Sequence, residues 1–357
     1  MLSKFFDSTA GKSWRRNDHW KQADISVCEW FGITCSSEGQ EQVTDVILSS
    51  NNLVGIVPHE IFLLPYLQSL VLDSNVIEMQ NLDRILDSTQ FETLDLSNTG
   101  IKDVDGIGKS RTLRELHIKS NNLEGSFPEE IFDILTLEQL DFDFCHFSGT
   151  LGSRIAQLTN LKTLAGDNNK LSGSLPSELG NLTNLVTMAL GRNSFTGSIP
   201  SSLNSLSSIT VIDLSDQTDH GGRGLSGELP ALYSLSSLSK LILNSNAISG
   251  SLPINFLQGV NPEVFEYADI SSNSIIGHIP SSLAHLPHLH LHDNLITGVA
   301  TAMCSTSRGT IYKDYGCNAV LCPPTTYNPH GRQETASSIC MSCKEATFWG
   351  TTACPPS

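Results

Sequence analysis

Apolar residues recur along most of the chain in one frame, L-x-x-L-x-L-x-x-N-x-L, in which the fourth and sixth positions alternate with polar residues. This alternation predicts a short strand in each unit, and the other apolar positions are expected to close a coil behind it. One coil cannot bury its own apolar face, so the units must stack against one another. Eleven units, spaced by 21 to 29 residues, begin at Val43, Leu67, Phe91, Leu113, Leu137, Leu161, Leu185, Ile209, Leu238, Phe265 and Leu286.

The commonest spacing is 24 residues, which together with this sequence motif identifies the units as leucine-rich repeats. The predicted fold is an α/β repeat, a right-handed solenoid with a curved parallel β-sheet on its concave face and a helical, 3-10 and irregular convex side. Most units continue as G-x-[apolar]-P, as in Leu171–Pro176 and Phe195–Pro200, which resembles the plant-type, extracellular subclass of these repeats. That resemblance implies a second, smaller sheet and a twisted superhelix. Units two, three and eleven lack the proline, so the second sheet is least expected around residues 75–110.

The ninth frame position is a polar column at the point where each coil turns inward from its strand. A short amide there offers a donor and an acceptor to backbone groups of adjacent coils that would otherwise be buried without partners. We interpret the column as structural, and Cys145 within it as a buried free thiol. Its members are Asn51, Asn75, Asn121, Asn169, Asn193, Asn246, Asn273 and Asn294, with Thr99, Cys145 and Gln217 as exceptions.

The nine cysteines lie mostly at the two ends of the chain, with two at the front, six at the back and Cys145 between them. Even numbers at the ends predict disulfide-capped ends in an oxidising compartment. The alternative at the back is a zinc site built from Cys340 and Cys343 with Cys322 and Cys354. Fifteen pairings of the last six cysteines are possible. The preferred set is Cys304–Cys317, Cys322–Cys340 and Cys343–Cys354.

The segment Cys28–Cys35 (CEWFGITC), preceded by Trp14 and Trp20, resembles the amino-terminal cap of plant receptor-like and inhibitor leucine-rich repeat proteins. The resemblance implies a disulfide between Cys28 and Cys35 and a first helix that includes residues 2–6.

At the other end, Cys322–Tyr327 (CPPTTY) and Ile339–Cys343 (ICMSC) resemble the small cysteine-rich modules of cell-surface receptors, which end some algal and protist leucine-rich repeat proteins. The expected domains are a disulfide cap at 1–42, eleven repeats at 43–303 and a cysteine-rich module at 304–357.

The disulfides favour an extracellular or cell-surface location, although Met1–Asp7 (MLSKFFD) lacks the apolar core of a secretory signal. The chain is therefore expected to be a mature chain, or a fragment of a longer and possibly membrane-anchored parent protein. No apolar run approaches the ~18 residues that span a bilayer, so no transmembrane segment is predicted. The one glycosylation motif is Asn181-Leu-Thr183, expected on the convex or lateral side of its unit.

The composition limits the classes of partner that the chain can bind. It contains 21 Lys and Arg and 37 Asp and Glu, a formal net charge of −16. Such a chain lacks the clustered cations that neutralise phosphates, so nucleic acid is excluded as a partner. The stretch Gly222–Gly227 matches a dinucleotide-loop pattern, but Gly227 is the bend glycine of its repeat and the rest is a polar insertion. Neither a catalytic constellation nor a cofactor site is predicted, and a solvated open surface is not expected to split carboxylate pKa values.

The concave face is acidic, since its outward frame positions hold fourteen acids and five bases. An acidic face favours a basic partner and steers its approach. The alternative is that these acids only keep a large β-surface soluble. The candidate ligand-binding residues are Asp95, Arg114, His117, Asp141, Asp143, Asp167, Asp213, His288, His290 and His292.

The three histidines alternate along the predicted last strand, so they are expected to project from one face, with His290 beside Asp269. A pH-dependent contact with a partner, a metal site and incidental surface histidines are three possible interpretations.

These observations predict a non-catalytic binding module for a protein or peptide ligand, either a receptor-like ectodomain or a secreted recognition protein. The alternative is a structural or adhesion protein of a cell wall or extracellular matrix.

Overall fold

The computed structural model of the chain describes residues 1–37, 42–218, 223–286, 288–299, 322, 326–327, 341–344 and 346. Two units, Met1–Leu171 and Ser172–Ser357, are each internally packed. The strands are β1 Ile33–Cys35, β2 Val43–Ile47, β3 Val54–Val57, β4 Ser69–Val71, β5 Val76–Met79, β6 Thr93–Asp95, β7 Glu115–His117, β8 Gln139–Asp141, β9 Ser148–Thr150, β10 Thr163–Ala165, β11 Lys170–Ser174, β12 Thr187–Ala189, β13 Ser194–Thr196, β14 Val211–Asp213, β15 Ser226–Glu228, β16 Lys240–Ile242, β17 Ala247–Ser251, β18 Tyr267–Asp269, β19 Ser274–Ile279, β20 Leu289–His290, β21 Leu295–Val299, β22 Thr326–Tyr327 and β23 Met341–Ser342.

The predicted repeat strands form a main sheet in both units. In the first unit its order is β1-β2-β4-β6-β7-β8-β10, and in the second β12-β14-β16-β18-β20. In this sheet β1 is antiparallel to its neighbour, β2, and from β2 onward neighbouring strands within each unit pair in parallel. The middle residue of each three-residue repeat strand is buried and its neighbours are partly exposed, as a period of two requires.

Short 3-10 helices lie on the opposite side of the repeats, as the sequence predicted for the convex face. The single α-helix described, α1, spans Leu2–Ser8 and contains the expected cap helix. The 3-10 helices are Gly11–Ser13, Val27–Glu29, His59–Leu63, Leu82–Asp87, Ile107–Lys109, Glu129–Asp133, Ser153–Gln157, Ser177–Asn181, Ser201–Ser205 and Ser281–His285.

The second sheet is present in pieces. In the first unit β3 pairs with β5, and in the second β11 pairs with β13 and β15-β17-β19-β21 form a four-stranded sheet. β5 forms although its repeat lacks the proline, because Val76 N–H donates to Leu53 and Ile77 N–H to Thr99. From residue 80 to 147 the described strands all belong to the main sheet. The second sheet was least expected around residues 75–110. That prediction is confirmed from residue 80 onward and is wrong for β5.

The amide ladder forms as predicted. Asn75 Oδ1 accepts from the N–H groups of Asn51 (3.0 Å) and Leu53 (2.9 Å), and its Nδ2 donates to the carbonyls of Leu48 and Leu72. One buried side chain thereby satisfies four backbone groups of two successive coils. Cys145 is a buried free thiol, as expected, and donates to the carbonyl of Ile118 at 3.1 Å. Burial raises the pKa of that thiol to about 12.

The amino-terminal cap closes the first coil with a disulfide and an aromatic cluster. Cys28 and Cys35 are bonded, with Cα atoms 5.5 Å apart. Trp20 lies between Trp14 (ring centroids 4.8 Å apart) and Trp30 (5.0 Å). Five large rings are buried there, and they cover the apolar end that an uncapped repeat array would expose.

At the carboxyl end Cys322 and Cys343 each take part in a disulfide bond, so neither supplies the thiolate that the zinc alternative needs. The other predicted pairing partners, Cys304, Cys317, Cys340 and Cys354, lie outside the described residues, and so does Gly222 of the dinucleotide-like stretch. The boundaries 1–42, 43–303 and 304–357 stay predictions. Among the described residues no helix is long and apolar enough to cross a bilayer, and no group of three His, Cys, Asp or Glu side chains could hold a metal ion.

Candidate functional site

The outward side of the main sheet, called here the strand face, carries the predicted ligand-binding residues. Much of its charge is already neutralised within the face. Arg114 pairs with both Glu92 and Glu138, and each of the other counted bases also contacts an acid of the same face. The five paired bases are Arg114, Lys119, Lys162, Arg192 and Lys240.

Parallel pairing places Asp95, His117 and Asp141 in one row across β6, β7 and β8. His117 Nδ1 lies 3.9 Å from Asp141 Oδ2, and Lys119 Nζ lies 3.0 Å from the same oxygen. Contact with Asp141 raises the pKa of His117, and Asp95 adds to the rise although burial opposes it. Burial alone would raise the pKa of Asp141, but His117 and Lys119 hold it below its usual value. Asp141 is therefore a firmly ionised carboxylate beside two cations.

Asp143 has a different environment two residues along the same chain segment. Its Oδ1 accepts the backbone N–H of Asp167 at 2.7 Å, while the ammonium of the nearby Lys119 lies against Asp141 instead. Burial and the charge of Asp141 raise the pKa of Asp143 to about 6. Asp143 is thus a half-buried carboxylate that makes no ion pair among the described residues.

The expectation that an open surface would not split the carboxylate pKa values was wrong, because Asp141 and Asp143 are both partly buried and, of the two, only Asp141 contacts cations. Both carboxylates also take part in the hydrogen bonding of the sheet. Asp141 is 13% exposed, and its Oδ1 accepts the N–H of Asp143 at 3.3 Å. Lysine in place of either residue would remove an acceptor from the sheet.

Phe144, next to Asp143, is an exposed aromatic side chain in a left-handed backbone. Its ring is 51% exposed and its φ is 55°. The same position is left-handed in every repeat, with φ between 50° and 57°, and nine repeats place Ser, Asn or Asp there. These small polar residues tolerate the left-handed region better than a bulky ring. The N–H of Phe144 donates to the backbone carbonyl of Asp167 at 3.0 Å, which fixes the backbone of Phe144 beside that of Asp167.

We call the group Asp95, His117, Lys119, Asp141, Asp143 and Asp167 the acidic patch. All six residues lie in the first unit, and Phe144 lies at its edge. Lys119 was missing from the predicted site set. Its position two residues after His117 on the same face is the signal that could have included it.

The remaining predicted residues do not join this patch. Arg114 is occupied by its two glutamates. Asp213, in the second unit, accepts from Ser215 N–H (2.9 Å) and Ser215 Oγ–H (2.6 Å). This local turn gives a hydrogen-bond partner to the backbone N–H that follows the strand. Asp95 accepts the N–H two residues ahead in the same way, so these aspartates also stabilise the strand ends.

The histidine stripe is only partly as predicted. β20 contains His290 alone of the three, and His288 has a left-handed backbone with φ 49°. His290 does lie opposite Asp269, and the ring of Tyr267 meets it edge-on at 6.4 Å. His290 and His292 are half-buried between buried leucines, so the outward alternation holds for these two. Asn181, the predicted glycosylation site, is an exposed residue that ends a 3-10 helix.

Replacing Asp143 with asparagine is expected to stabilise the protein at neutral pH. The folded chain holds the Asp143 proton more tightly than the unfolded chain, so stability falls as the pH rises from about 3.8 to about 6. Asparagine keeps the acceptor for Asp167 N–H without the charge. After allowance for partial exposure, the gain is on the order of 1 kcal/mol at pH ~7.5 and shrinks towards zero near pH ~4. Urea unfolding at the two pH values measures it. Equal gains at both, or an equal gain from Asp73→Asn, would contradict this explanation.

Comparison with known proteins supports the repeat assignment. The Leucine Rich Repeat family profile matches residues 112–134. Receptor protein-tyrosine kinase CEPR1 of Arabidopsis thaliana is 33% identical over 130 residues, which is 35% of this chain and 13% of that protein. The leucine-rich repeat ectodomain of the Arabidopsis receptor kinase HAESA, solved with an extended IDA peptide hormone ligand, has a TM-score of 0.62 at 27% identity. That match covers 77% of this chain and 50% of the HAESA chain. The chain thus spans half of one relative and a small part of the other.

A crystal structure of a plant ice-binding protein is similar over nearly its whole length, with a TM-score of 0.63 at 23% identity, covering 90% of this chain and 94% of that one. At that identity the likeness concerns the fold alone. The repeat frame, the amide ladder, the cap disulfide and these similarities agree with one another. The chain is therefore a leucine-rich repeat solenoid, similar in fold to plant receptor ectodomains.

Proposed function

We propose that this protein is a non-catalytic extracellular recognition module that binds a basic segment of a protein or peptide on the acidic patch. The observation that supports this most directly is Asp143, a half-buried carboxylate beside Lys119, whose ammonium contacts Asp141 instead. A lysine or arginine of a partner would supply the missing counter-charge and hydrogen bonds.

The exposed ring of Phe144 gives the patch an apolar contact beside its charges. Interfaces draw most of their binding energy from a few aromatic or arginine contacts, and a guanidinium also packs well against an aromatic face. The preferred ligand is therefore a segment in which basic and apolar side chains alternate.

Two further observations fit an extracellular receptor-like role. The disulfides at Cys28–Cys35, Cys322 and Cys343 require an oxidising compartment. The similar HAESA ectodomain was solved with a peptide hormone ligand, so the same repeat architecture accommodates a peptide.

The test uses a labelled short peptide of alternating arginine and leucine, with a glutamate–leucine peptide as its counterpart. The double variant Asp143→Asn/Asp167→Asn is expected to weaken binding of the basic peptide about tenfold, as measured by fluorescence anisotropy. Phe144→Ser places at this position the residue that the preceding repeat has there, Ser120, and should weaken binding several-fold.

Asp45→Asn/Asp73→Asn is the matched control, because it removes the same charge from the strand face at its first two repeats. Equal weakening by the control and the patch variant would show general charge attraction and overturn the assignment. Absence of binding to any basic peptide would favour the structural or adhesion alternative.

A further inference from the structure

The acidic patch contains two groups whose charge changes near neutral pH, and both lie in contact with the same carboxylate. His117 and Asp143 flank Asp141, one on the neighbouring strand and one two residues along. Asp141 supports the imidazolium form of His117 and opposes the ionised form of Asp143. Each effect keeps a proton on the patch at a pH where an isolated group would have begun to lose it.

Every charged neighbour of the two groups belongs to the first unit. Asp143 is faced by Asp141 from its own segment, Lys119 from the preceding repeat and Asp167 from the following one. The buried thiol of Cys145 lies beneath and is neutral, with its pKa raised to about 12. The charged neighbours of His117 are Asp95, Glu115, Lys119 and Asp141.

We propose that the acidic patch is a proton-controlled binding surface, which takes up a basic segment when His117 and Asp143 have lost their protons and releases it when both are protonated. This inference rests on the proposed function and adds its regulation. Loss of one proton from each group makes the patch two charges more negative, and both changes strengthen the attraction for a cation.

Deprotonation of either group makes the patch more negative, so both titrations strengthen binding of a cation as the pH rises. As the pH rises, Asp143 ionises around pH 6. His117 loses its proton at a higher pH than an ordinary imidazole, because Asp141 and Asp95 both raise its pKa. Attraction for a basic ligand therefore increases as the pH rises through about 6, where Asp143 ionises, and increases again where His117 loses its proton.

Reciprocity gives a second consequence. A cation bound on the patch favours ionised Asp143 and neutral His117, so binding near pH 6 must release protons to the buffer. At a pH well above both titrations, where both groups are already deprotonated, binding should release almost none. Calorimetry in buffers of different ionisation enthalpy measures the number of protons released.

The experiment uses the full chain and the arginine–leucine peptide at constant ionic strength. We expect binding at pH ~7.5 to be about tenfold tighter than at pH ~5, with proton release near pH 6. The double variant His117→Gln/Asp143→Asn should bind with little pH dependence and release no protons. Asp73→Asn, the same Asp-to-Asn substitution at the equivalent frame position of the second repeat, should keep the wild-type profile.

A ligand-free measurement tests the inference independently. Carbon and nitrogen NMR should show the Asp143 carboxyl titrating near pH 6 and the His117 ring titrating above the range of an ordinary imidazole. Titration of Asp143 below pH ~4.5 would overturn the inference, whatever the peptide does.

The outcomes separate this inference from the function on which it rests. Peptide binding that is weakened by the patch variant but has the same pH profile in wild type and in His117→Gln/Asp143→Asn would overturn only the proton control. No peptide binding at pH ~7.5 would overturn the proposed function and the inference with it.

Discussion

Replacing Asn169 with leucine is expected to lower the free energy of unfolding by about 3–5 kcal/mol. Asn169 Oδ1 accepts from the N–H groups of Cys145 (3.2 Å) and Phe147 (2.9 Å), and its Nδ2 donates to the carbonyls of Phe142 and Gly166. Leucine has similar volume but no polar atom. The buried N–H groups would lose their acceptor, and each such loss costs the full desolvation of the group.

Equilibrium urea unfolding, monitored by circular dichroism, gives this loss. Asn122→Leu is the matched control, since Asn122 is exposed and its side chain bonds only to the exposed Glu124. That control should change stability by less than about 0.5 kcal/mol. A loss for Asn169→Leu no larger than for the control would mean that water replaces the ladder amide. Asn169→Asp should fall between the two, because it keeps the acceptor and loses the donors.

Replacing Gly166 with leucine is expected to destabilise the protein by about 3 kcal/mol or more, although leucine is the common residue at that frame position. A Cβ at Gly166 would lie 2.2 Å from Phe142 Cζ, and Phe142 is fully buried. Phe142 occupies the space that the side chain of the next repeat would fill. Its ring is held from the other side by Phe127, at 5.0 Å between centroids, so it cannot simply move away.

The large side chain of Phe142 compensates for the missing side chain of Gly166, so changing both residues to leucine should restore stability. Phe142→Leu alone leaves a cavity and should cost about 1–3 kcal/mol. The double variant Phe142→Leu/Gly166→Leu restores the common residue in both repeats and should recover most of the lost stability. A double-mutant cycle should therefore give a favourable coupling of about 2 kcal/mol or more. Additive losses would show that Gly166 is required for its backbone rather than for the ring of Phe142.

Several features followed from the sequence because they depend on residues close together in the chain. The repeat frame predicted the strands, since alternation of apolar residues has the period of a strand. The polar ninth column predicted the amide ladder and the buried state of Cys145, because each coil must satisfy the same backbone groups at the same place. The cap motif implied the bond between Cys28 and Cys35 by resemblance, and the structure contains it.

Other features depended on which side chains meet across successive coils. The frame showed that Asp141 and Asp143 share a face, but His117 and Lys119 both contact Asp141, and these contacts outweigh the effect of burial on the pKa at Asp141 and not at Asp143. The strand β5 forms without its proline because neighbouring coils supply its hydrogen-bond partners.

The sequence by itself determined the repeat and the ladder, because each follows from a local pattern that every copy must satisfy, and it implied the cap by resemblance. Only the tertiary structure decided that Phe142 fills the space above Gly166, that Phe144 is exposed in a left-handed backbone, and that Lys119 contacts Asp141 rather than Asp143. These are relations between residues of different coils or departures of one repeat from the others. Their energies come from packing, burial and charge at contacts that a repeating pattern does not specify.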